Sequence, residues 1–596
     1  MNSLQSFPTE LLLMIFQHLV PEPLPTKPTP NLLDDEYIQR RNALLDLCLV
    51  SKRFSHIAQP LLHHNITITD GAQLVALFHT FWNSPDFRRY PRAFACPILL
   101  EDRDVVNSTA DCWNATVDKL SRDVSDPLIA HFLNTAYVEL RHVEEEESIP
   151  EADGVVPMEL DGEGNQEQDY SLFRFKRQFL PQILVSTILG LLSRVEDVLL
   201  RQYPRDRQDM GYYLQSLSKY TKDADTASET PTLPSSFLST ARSIRLQDHD
   251  APLSLNGICP ASVPFWEFGN VTKFEVHHDN WANSQLLELL SRQPATPRDA
   301  THKQKIVEGL RRLEELQFCQ SASSPCHIYD LLSYCSNLRS FHLSFREYAY
   351  GRPENPDWHV RTIQETLLQA TTKLETLHLD ILSDTEFYTT PMSTFEDVVE
   401  IVECLPRFQN LKYLTIDSTK LLGFTYDEDP SQFDWPHPTD FVPLYQEVPL
   451  TAMLPSSLER LVLLNKLTSI QVIMMVDPVT LMRKYFPTDD VDMVVNGGED
   501  ILVGPLLQFA RDCRREHPNL GSITLRTSYI QGTELVRTFG EESGAKCALG
   551  EGIMQATYNG VKVAFERVGV DFNLEWVETV RPLSMYGTEE VMFDLY

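Results

Sequence analysis

The sequence lacks the patterns of zinc-motif, secreted and membrane-spanning proteins. Its 10 cysteines are scattered without a single Cys-x-x-Cys pair, so no zinc or redox motif is present. No apolar run reaches the roughly 18 residues that a membrane-spanning helix requires. The N-terminus has neither the charged segment nor the cleavage site of a secretory signal. We therefore expect a reduced, soluble protein of the cytoplasm, the nucleus or both.

Basic residues are scarce as well. The chain has 51 Lys and Arg residues against 84 Asp and Glu residues, which gives a formal net charge of −33. This balance argues against a nucleic-acid binder and against a binder of anionic membranes, because both need a basic surface. It favours a basic protein partner instead. The apolar fraction of 42% indicates a folded chain, and 596 residues are enough for several domains or one elongated repeat array.

Recognisable catalytic and metal-binding motifs are also missing. The sequence has no Gly-rich phosphate loop, no Gly-x-Ser-x-Gly elbow and no His-Glu-x-x-His pair. Its adjacent histidines, His63-His64 and His277-His278, cannot hold one ion from a regular strand, because neighbouring strand residues point to opposite faces. We therefore predict a protein that is not an enzyme, with no catalytic residue, cofactor or metal ligand.

The first 62 residues carry an unusual excess of apolar surface. Pro8 and Glu10 suit the start of a helix, and the six residues 11–16 are all apolar. A short helix that is apolar on every side must be covered, and two or three small helices cannot do this alone. Ser51 is a predicted N-cap for a closing helix. Between the two ends, residues 20–41 contain five prolines and are predicted to form an extended insertion.

These residues resemble an F-box. The family pattern is matched, in order, by Pro8, Glu10, Ile15, Leu19, Val50, Ser51, Lys52 and Phe54. The resemblance implies an all-helical domain that docks onto the Skp adaptor of a cullin–RING ubiquitin ligase. It implies that the following residues supply adaptor contacts or their internal support: Pro8, Leu11, Leu12, Ile15, Leu19, Leu45, Leu49, Val50 and Phe54. An ordinary N-terminal helical hairpin is the alternative.

A repeated unit follows, in which a helix and a short polar link precede the pattern apolar-x-x-apolar-x-apolar. This spacing places the last two apolar residues on one face of a strand. The nine copies are Val195/Val198/Leu200, Ala241/Ile244/Leu246, Val271/Phe274/Val276, Leu313/Leu316/Phe318, Leu338/Phe341/Leu343, Leu374/Leu377/Leu379, Leu411/Leu414/Ile416, Leu458/Leu461/Leu463 and Leu520/Ile523/Leu525.

This unit resembles a leucine-rich repeat, although the intervals between copies vary from 25 to 62 residues. The resemblance implies an irregular solenoid with concave strands and convex helices. We therefore predict an α/β chain with an F-box-like domain at residues 1–62 and a repeat domain at residues 63–596. An acidic stretch near residues 143–169 is predicted to be a disordered loop. An unrelated fold with alternating helices and strands is the alternative.

Two parts of the repeat domain are candidates for binding a target protein. Residues 424–445 mix aromatic side chains with carboxylates, a combination that suits a basic, partly apolar peptide. The outward positions of the best strands would line the same face. The predicted target-binding residues are His342, Ser344, His378, Asp380, Thr415, Asp417, Tyr426, Phe433 and Trp435. The alternatives are aromatics that fold the loop onto the solenoid and polar residues that are simply solvated.

The resulting hypothesis is a substrate-recognition subunit of a Skp–cullin–F-box type ubiquitin ligase. Its expected partners are the Skp adaptor, the cullin–RING ligase and an unknown protein substrate, which the acidic charge of the chain favours as basic, but no nucleic acid and no membrane. Two alternatives stay open. One is a Skp-binding scaffold that never joins a cullin, and the other is an enzyme in an irregular α/β fold.

Overall fold

The computed structural model describes residues 7–21, 35–98, 100, 102–117, 180–202, 239–248, 270–277, 290, 293–294, 297–321, 325–345, 360–380, 404–418, 421, 424–426, 441–443, 448–465, 503–530 and 558–579. The chain divides into two compact units, residues 1–327 and residues 328–596. The predicted acidic loop at residues 143–169 lies outside the described residues.

The first described segment folds into three helices. These are α1 (Thr9–Gln17), α2 (Asp35–Val50) and α3 (Lys52–Leu62). Pro8 precedes α1, and its carbonyl oxygen accepts a hydrogen bond from the Leu12 amide. As predicted, Ser51 caps α3, because its hydroxyl oxygen accepts a hydrogen bond of 3.2 Å from the Phe54 amide. The predicted insertion at residues 20–41 is too long. Residues 35–41 belong to α2, since the last proline of that segment is Pro30.

The rest of the first unit is a parallel sheet with helices between several of its strands. Six strands lie side by side in sequence order, all parallel. The elements are β1 (Asn65–Thr67), α4 (Gly71–Asn83), a 3-10 helix (Pro85–Arg89), β2 (Ala93–Cys96), α5 (Arg103–Val117), α6 (residues 180–191), β3 (Asp197–Gln202), β4 (Ser243–Asp248), β5 (Lys273–His277), α7 (Pro297–Arg311), β6 (Glu315–Ser321) and α8 (Pro325–Leu332), within which the unit boundary falls.

The second unit repeats this arrangement. Six of its strands are parallel and lie side by side in sequence order, and two short strands between the third and the fourth of them form a separate antiparallel pair. The elements are β7 (Ser340–Phe345), α9 (Val360–Ala370), β8 (Thr376–Asp380), a 3-10 helix (Leu405–Arg407), β9 (Tyr413–Asp417), β10 (Phe424–Tyr426), β11 (Phe441–Pro443), α10 (Leu450–Met453), β12 (Arg460–Asn465), α11 (Val503–Glu516), β13 (Ser522–Ile530), α12 (residues 558–567) and β14 (Asp571–Thr579).

The apolar repeat pattern accounts for the core of both units. All 27 side chains of the nine copies are buried, none with more than 3% of its surface exposed. The strand register aligns equivalent positions. In the second unit Phe341 pairs with Leu377, which pairs with Leu414, and the row continues through Leu461 to Ile523. The α/β class and a solenoid-like succession of parallel strands are therefore confirmed within each unit.

Hydrogen bonds from hydroxyl side chains link successive copies of the repeat. Thr240, which directly precedes one copy, donates a hydrogen bond of 2.7 Å to the carbonyl oxygen of Val195, the first residue of the preceding copy. The Ser457 hydroxyl bonds the Leu411 carbonyl oxygen in the same way at 2.7 Å. These bonds give the carbonyl groups of the buried residues Val195 and Leu411 a hydrogen-bond donor from the next copy. No helix among the described residues is both long and apolar enough to cross a membrane.

Candidate functional site

A small apolar core holds the three N-terminal helices together. Leu12 and Phe16 lie one turn apart on α1, so both point to the same side and are buried. The Phe16 ring meets the Phe54 ring of α3 edge to face, with the ring centres 5.4 Å apart. Leu44 adds a fully buried side chain from α2. The core therefore uses one face of α1 and leaves the other without cover.

An arginine fixes the start of α1 against α3. The Arg53 guanidinium donates hydrogen bonds to the Phe7 carbonyl oxygen at 2.6 Å and to the Thr9 hydroxyl at 3.2 Å. These bonds tie the first turn of the helix to a residue more than 40 positions later in the sequence. The orientation of α1, and of the apolar residues on its outer face, is thereby set.

The exposed large apolar side chains of the described residues concentrate in this segment. Nine of the twelve lie between residues 7 and 50, while the other three, Tyr413, Leu507 and Val563, are dispersed over the second unit. The nine are Phe7, Leu11, Leu13, Met14, Ile15, Ile38, Leu45, Leu49 and Val50. Scattered apolar residues are normal on a protein surface, whereas a concentration of them marks an interaction site.

The exposed residues form stripes at helical spacing. On α1, Leu11, Met14 and Ile15 occupy positions i, i+3 and i+4, which share one face. On α2, Leu45 and Leu49 are also one turn apart, and Leu49 is 79% exposed. Full burial of such a side chain gains about 1.5–3 kcal/mol. A partner that covered both stripes would therefore gain a large part of its binding energy from these few residues.

The predicted adaptor-binding set divides into two groups. Exposed residues, available to a partner, are Pro8, Leu11, Ile15, Leu45, Leu49 and Val50. The others, Leu12, Leu19 and Phe54, pack in or against the core of the three helices and act as internal support. Sequence reasoning missed Met14, which is 60% exposed on the same face of α1 as Leu11 and Ile15. The spacing of three residues from Leu11 was the signal that could have found it.

Four of the predicted target-binding residues meet across neighbouring strands of the second unit. His342 pairs with His378, and Ser344 pairs with Asp380. The two imidazole rings stack with their centres 3.7 Å apart and their planes 15° apart. All four side chains, and that of Thr415 on the next strand, are half-buried. The sequence thus identified one row of polar side chains on the sheet.

Asp417 departs from this prediction. It is fully buried at the end of β9, where Ser418 and Leu421 are buried as well, so it does not line an accessible surface. Strand alternation places Asp417 on the same face as Thr415, but it does not reveal what covers the end of a strand.

The aromatic stretch at residues 424–445 is described only at its two ends. Residues 424–426 and 441–443 pair as the antiparallel strands β10 and β11, with Tyr426 opposite Phe441. The predicted residues Phe433 and Trp435 lie outside the described residues.

Sequence reasoning also missed a polar cluster in the first unit. Glu275 and His277 lie two positions apart on β5, and Cys319 lies opposite His277 on β6. The ligand atoms of the three side chains all lie within 4.8 Å of one another. Adjacent histidines on a strand point to opposite faces, whereas residues at i and i+2 share a strand face. The alternation of Glu275 and His277 with the apolar Phe274 and Val276 was the available signal.

Charge is balanced inside this cluster. The Glu275 carboxylate lies 2.6 Å from His277 Nε2 and 3.1 Å from the Arg245 guanidinium. Burial by itself raises the pKa of Glu275, but the hydrogen bond with His277 and the charge of Arg245 outweigh it and lower the pKa to about 2. Burial, together with the negative charge of Glu275, raises the pKa of the Cys319 thiol to about 12. At neutral pH the carboxylate is therefore ionised and the thiol is protonated.

An open polar cleft of about 350 Å³ lies at the amino ends of the second unit's strands. Glu375, one of its lining residues, lies 3.3 Å from Arg339 and 3.2 Å from Lys412. Its lining residues are Arg339, Lys373, Glu375, Gln409, Asn410, Lys412, Ser457, Glu459 and Asn519. Glu375 pairs with basic residues of both neighbouring repeats, so the cleft is a solvated set of ion pairs between repeats.

Comparison with known proteins gives no family assignment. No protein-family model matches this chain, and a search of curated proteins finds no match.

Proposed function

We propose that this chain is a substrate-recognition subunit of a Skp–cullin–F-box type ubiquitin ligase. Residues 7–62 would bind the Skp adaptor, and the sheet of the second unit would bind the target protein. The observation that carries this proposal is the concentration of exposed apolar side chains on α1 and α2. The F-box-like order of residues, from Pro8 to Phe54, supports the Skp adaptor as the partner of that surface.

The geometry of the segment suits docking without refolding. The core of Leu12, Phe16, Leu44 and Phe54 holds the helices together in the absence of a partner, so the outer stripes are already arranged. A preformed surface does not have to be ordered when the partner binds, which saves part of the cost of association.

In this proposal the chain performs no chemical step itself. It would bring a lysine of the target close to the ubiquitin-loaded enzyme that the cullin carries. Holding two reactants together raises their effective concentration, and this can supply much of the rate of a transfer reaction.

The target would contact the row formed by His342, Ser344, His378, Asp380 and Thr415. The histidines and the hydroxyls offer hydrogen bonds, and Asp380 offers a carboxylate to a basic side chain. A basic target would also be attracted by the net charge of −33. Asp417 has no place in this surface because it is buried.

The test is co-purification of the Skp adaptor with a double variant, Ile15→Lys with Leu49→Lys. Both residues are exposed and lie in the last turns of their helices, where no basic residue is present and a cation suits the helix dipole. The variant should therefore stay folded while losing the adaptor. The matched control is Leu507→Lys with Val563→Lys, which places the same charges on exposed apolar sites of the second unit.

The proposal is wrong if the double variant retains the adaptor as well as the control does. A second measurement separates the ligase subunit from a scaffold. A ligase subunit brings the cullin along with the adaptor, whereas a scaffold recovers the adaptor alone.

A further inference from the structure

Three neighbouring strands of the first unit carry a compact group of polar side chains. Arg245 on β4 lies beside Glu275 on β5, and His277 on β5 lies beside Cys319 on β6. Register partners of parallel strands are about 5 Å apart and point to the same face. The apolar neighbours Phe274 and Val276 point to the opposite face and are buried. The sheet register thus gathers a carboxylate, an imidazole and a thiol at one place.

The three donor groups have the spacing of a metal-ion site. All their ligand atoms lie within 4.8 Å of one another, and this is the one such group among the described residues. Zinc is held by thiolate sulfur at about 2.3 Å and by imidazole nitrogen or carboxylate oxygen at about 2.0–2.2 Å. One ion placed between the three groups therefore reaches all of them with small side-chain adjustments. A thiol in the set excludes calcium and magnesium as preferred ions, since both prefer oxygen ligands.

We propose that Glu275, His277 and Cys319 form a binding site for a zinc-type divalent transition-metal ion. The three residues would supply three ligands, and a fourth position would be open to water or another donor. When the ion binds, the Cys319 S–H bond breaks, a sulfur–metal bond forms and the proton passes to solvent. The proton on His277 Nε2, which bonds Glu275 in the metal-free protein, passes through solvent to Nδ1, so that Nε2 offers its lone pair to the ion.

The surroundings of the cluster favour binding. Glu275 and His277 are only 6% and 9% exposed, so water competes weakly for the ion. Cys319 is half-buried, which leaves a route from solvent to the site. The hydrogen bond between His277 and Glu275 holds the imidazole in place before the ion arrives.

The positive charge of Arg245 opposes an ion at Glu275, and the charge of Lys273 also acts on Cys319. The Nε atom of Arg245 lies 3.1 Å from Glu275 Oε1, the same oxygen that contacts His277 Nε2. The carboxylate has a second oxygen, Oε2, with lone pairs of its own for a metal. If the cluster served only as a structural ion pair, it would need Arg245. If it is a metal site, it should bind its ion more tightly when Arg245 is removed.

The experiment uses the full-length chain, freed of metal with a chelator, and Co²⁺ as a spectroscopic probe for zinc. One equivalent of Co²⁺ should produce a thiolate-to-cobalt charge-transfer band, and added Zn²⁺ should remove it. Cys319→Ser should abolish the band and weaken Zn²⁺ binding more than about 100-fold in calorimetry. The control Cys112→Ser alters another half-buried cysteine of the same unit and should leave both readouts unchanged.

A second variant keeps the test independent of losses in folding. Arg245→Met keeps an unbranched, flexible side chain but removes its charge. It should tighten Zn²⁺ binding at least about tenfold, because a like charge beside the ion is gone. A wild-type chain that gives no charge-transfer band, or a band that survives Cys319→Ser, overturns the proposal. An unchanged affinity in Arg245→Met contradicts the placement of the ion beside Glu275. None of these outcomes depends on adaptor binding.

Discussion

Two leucines of helix α2 provide the sharpest test of the docking surface. Leu44 is fully buried in the core of the N-terminal helices, whereas Leu49, five positions later on the same helix, is 79% exposed. The same substitution, leucine to alanine, should therefore have opposite consequences at the two sites. Leu49→Ala should weaken adaptor binding without changing stability, and Leu44→Ala should lower stability.

The magnitudes follow from burial. Full burial of a leucine gains about 1.5–3 kcal/mol, so covering the exposed part of Leu49 gains about 1.2–2.4 kcal/mol. Its loss should raise the Kd for the Skp adaptor about 8- to 60-fold. The stability of α2 should change by no more than about 0.5 kcal/mol, since surface substitutions rarely do more. In Leu44→Ala the cavity should cost about 2–5 kcal/mol.

Calorimetry of adaptor binding gives the first quantity, and hydrogen exchange of the α2 amides gives the second. Exchange in Leu44→Ala should be faster by a factor of about 30 or more, while Leu49→Ala should exchange like wild type. If Leu49→Ala binds the adaptor within about twofold of wild type, the exposed stripe of α2 is not the docking surface. Equal stability losses in the two variants would contradict the burial on which the argument rests.

Three further predictions concern stability. Gly71→Ala should destabilise the packing of α4 on α5 by about 1–3 kcal/mol in urea unfolding, because the new methyl group would overlap the Val105 carbonyl oxygen. Gly560→Ala should stabilise the protein by about 0.4–1 kcal/mol, because its new methyl group would meet no atom within 4 Å. Burial and the nearby Arg41 lower the pKa of His63 in the folded chain, so the unfolded chain takes up more protons below about pH 6.5 and stability falls there. His63→Phe should reduce the loss of unfolding free energy between pH 7 and pH 5. If the unfolding free energy of the variant depends on pH as steeply as that of wild type, this reasoning about His63 is wrong. Ser51→Ala should cost about 1 kcal/mol by removing the cap of α3, which a lower thermal midpoint would reveal.

Much of the fold was predictable because the apolar pattern is a local property. The spacing of Leu338, Phe341 and Leu343 places the last two on one face of a strand, whatever lies around them. The same holds for the other copies, all of which are buried. The Ser51 cap was equally local, since it depends on one side chain and the amide of a residue three positions later. The start of α2 was missed because the predicted insertion extended 11 residues beyond its last proline, Pro30. A proline restricts the backbone only locally, so it does not prevent a helix that begins at Asp35.

The site residues were harder to predict because their properties depend on neighbours distant in sequence. The sequence showed that α1 has more apolar surface than a short helix can bury alone, but not which side would face the core. The packing of Phe16 on Phe54 decides this, and with it the exposure of Leu11, Met14 and Ile15. In the same way, the burial of Asp417 depends on the chain that covers the end of β9.

The cluster at Glu275 separates the two kinds of information most clearly. The sequence by itself determined that Glu275 and His277 share a strand face, because side chains alternate along a strand with a period of two. Only the tertiary structure decided that Arg245 and Cys319 lie beside them. Their positions in the sequence are 30 and 44 residues from Glu275, and strand register alone brings them into contact. The burial of whole apolar rows fixes the register of the strands. The same register then determines which polar side chains are neighbours on the opposite face of the sheet.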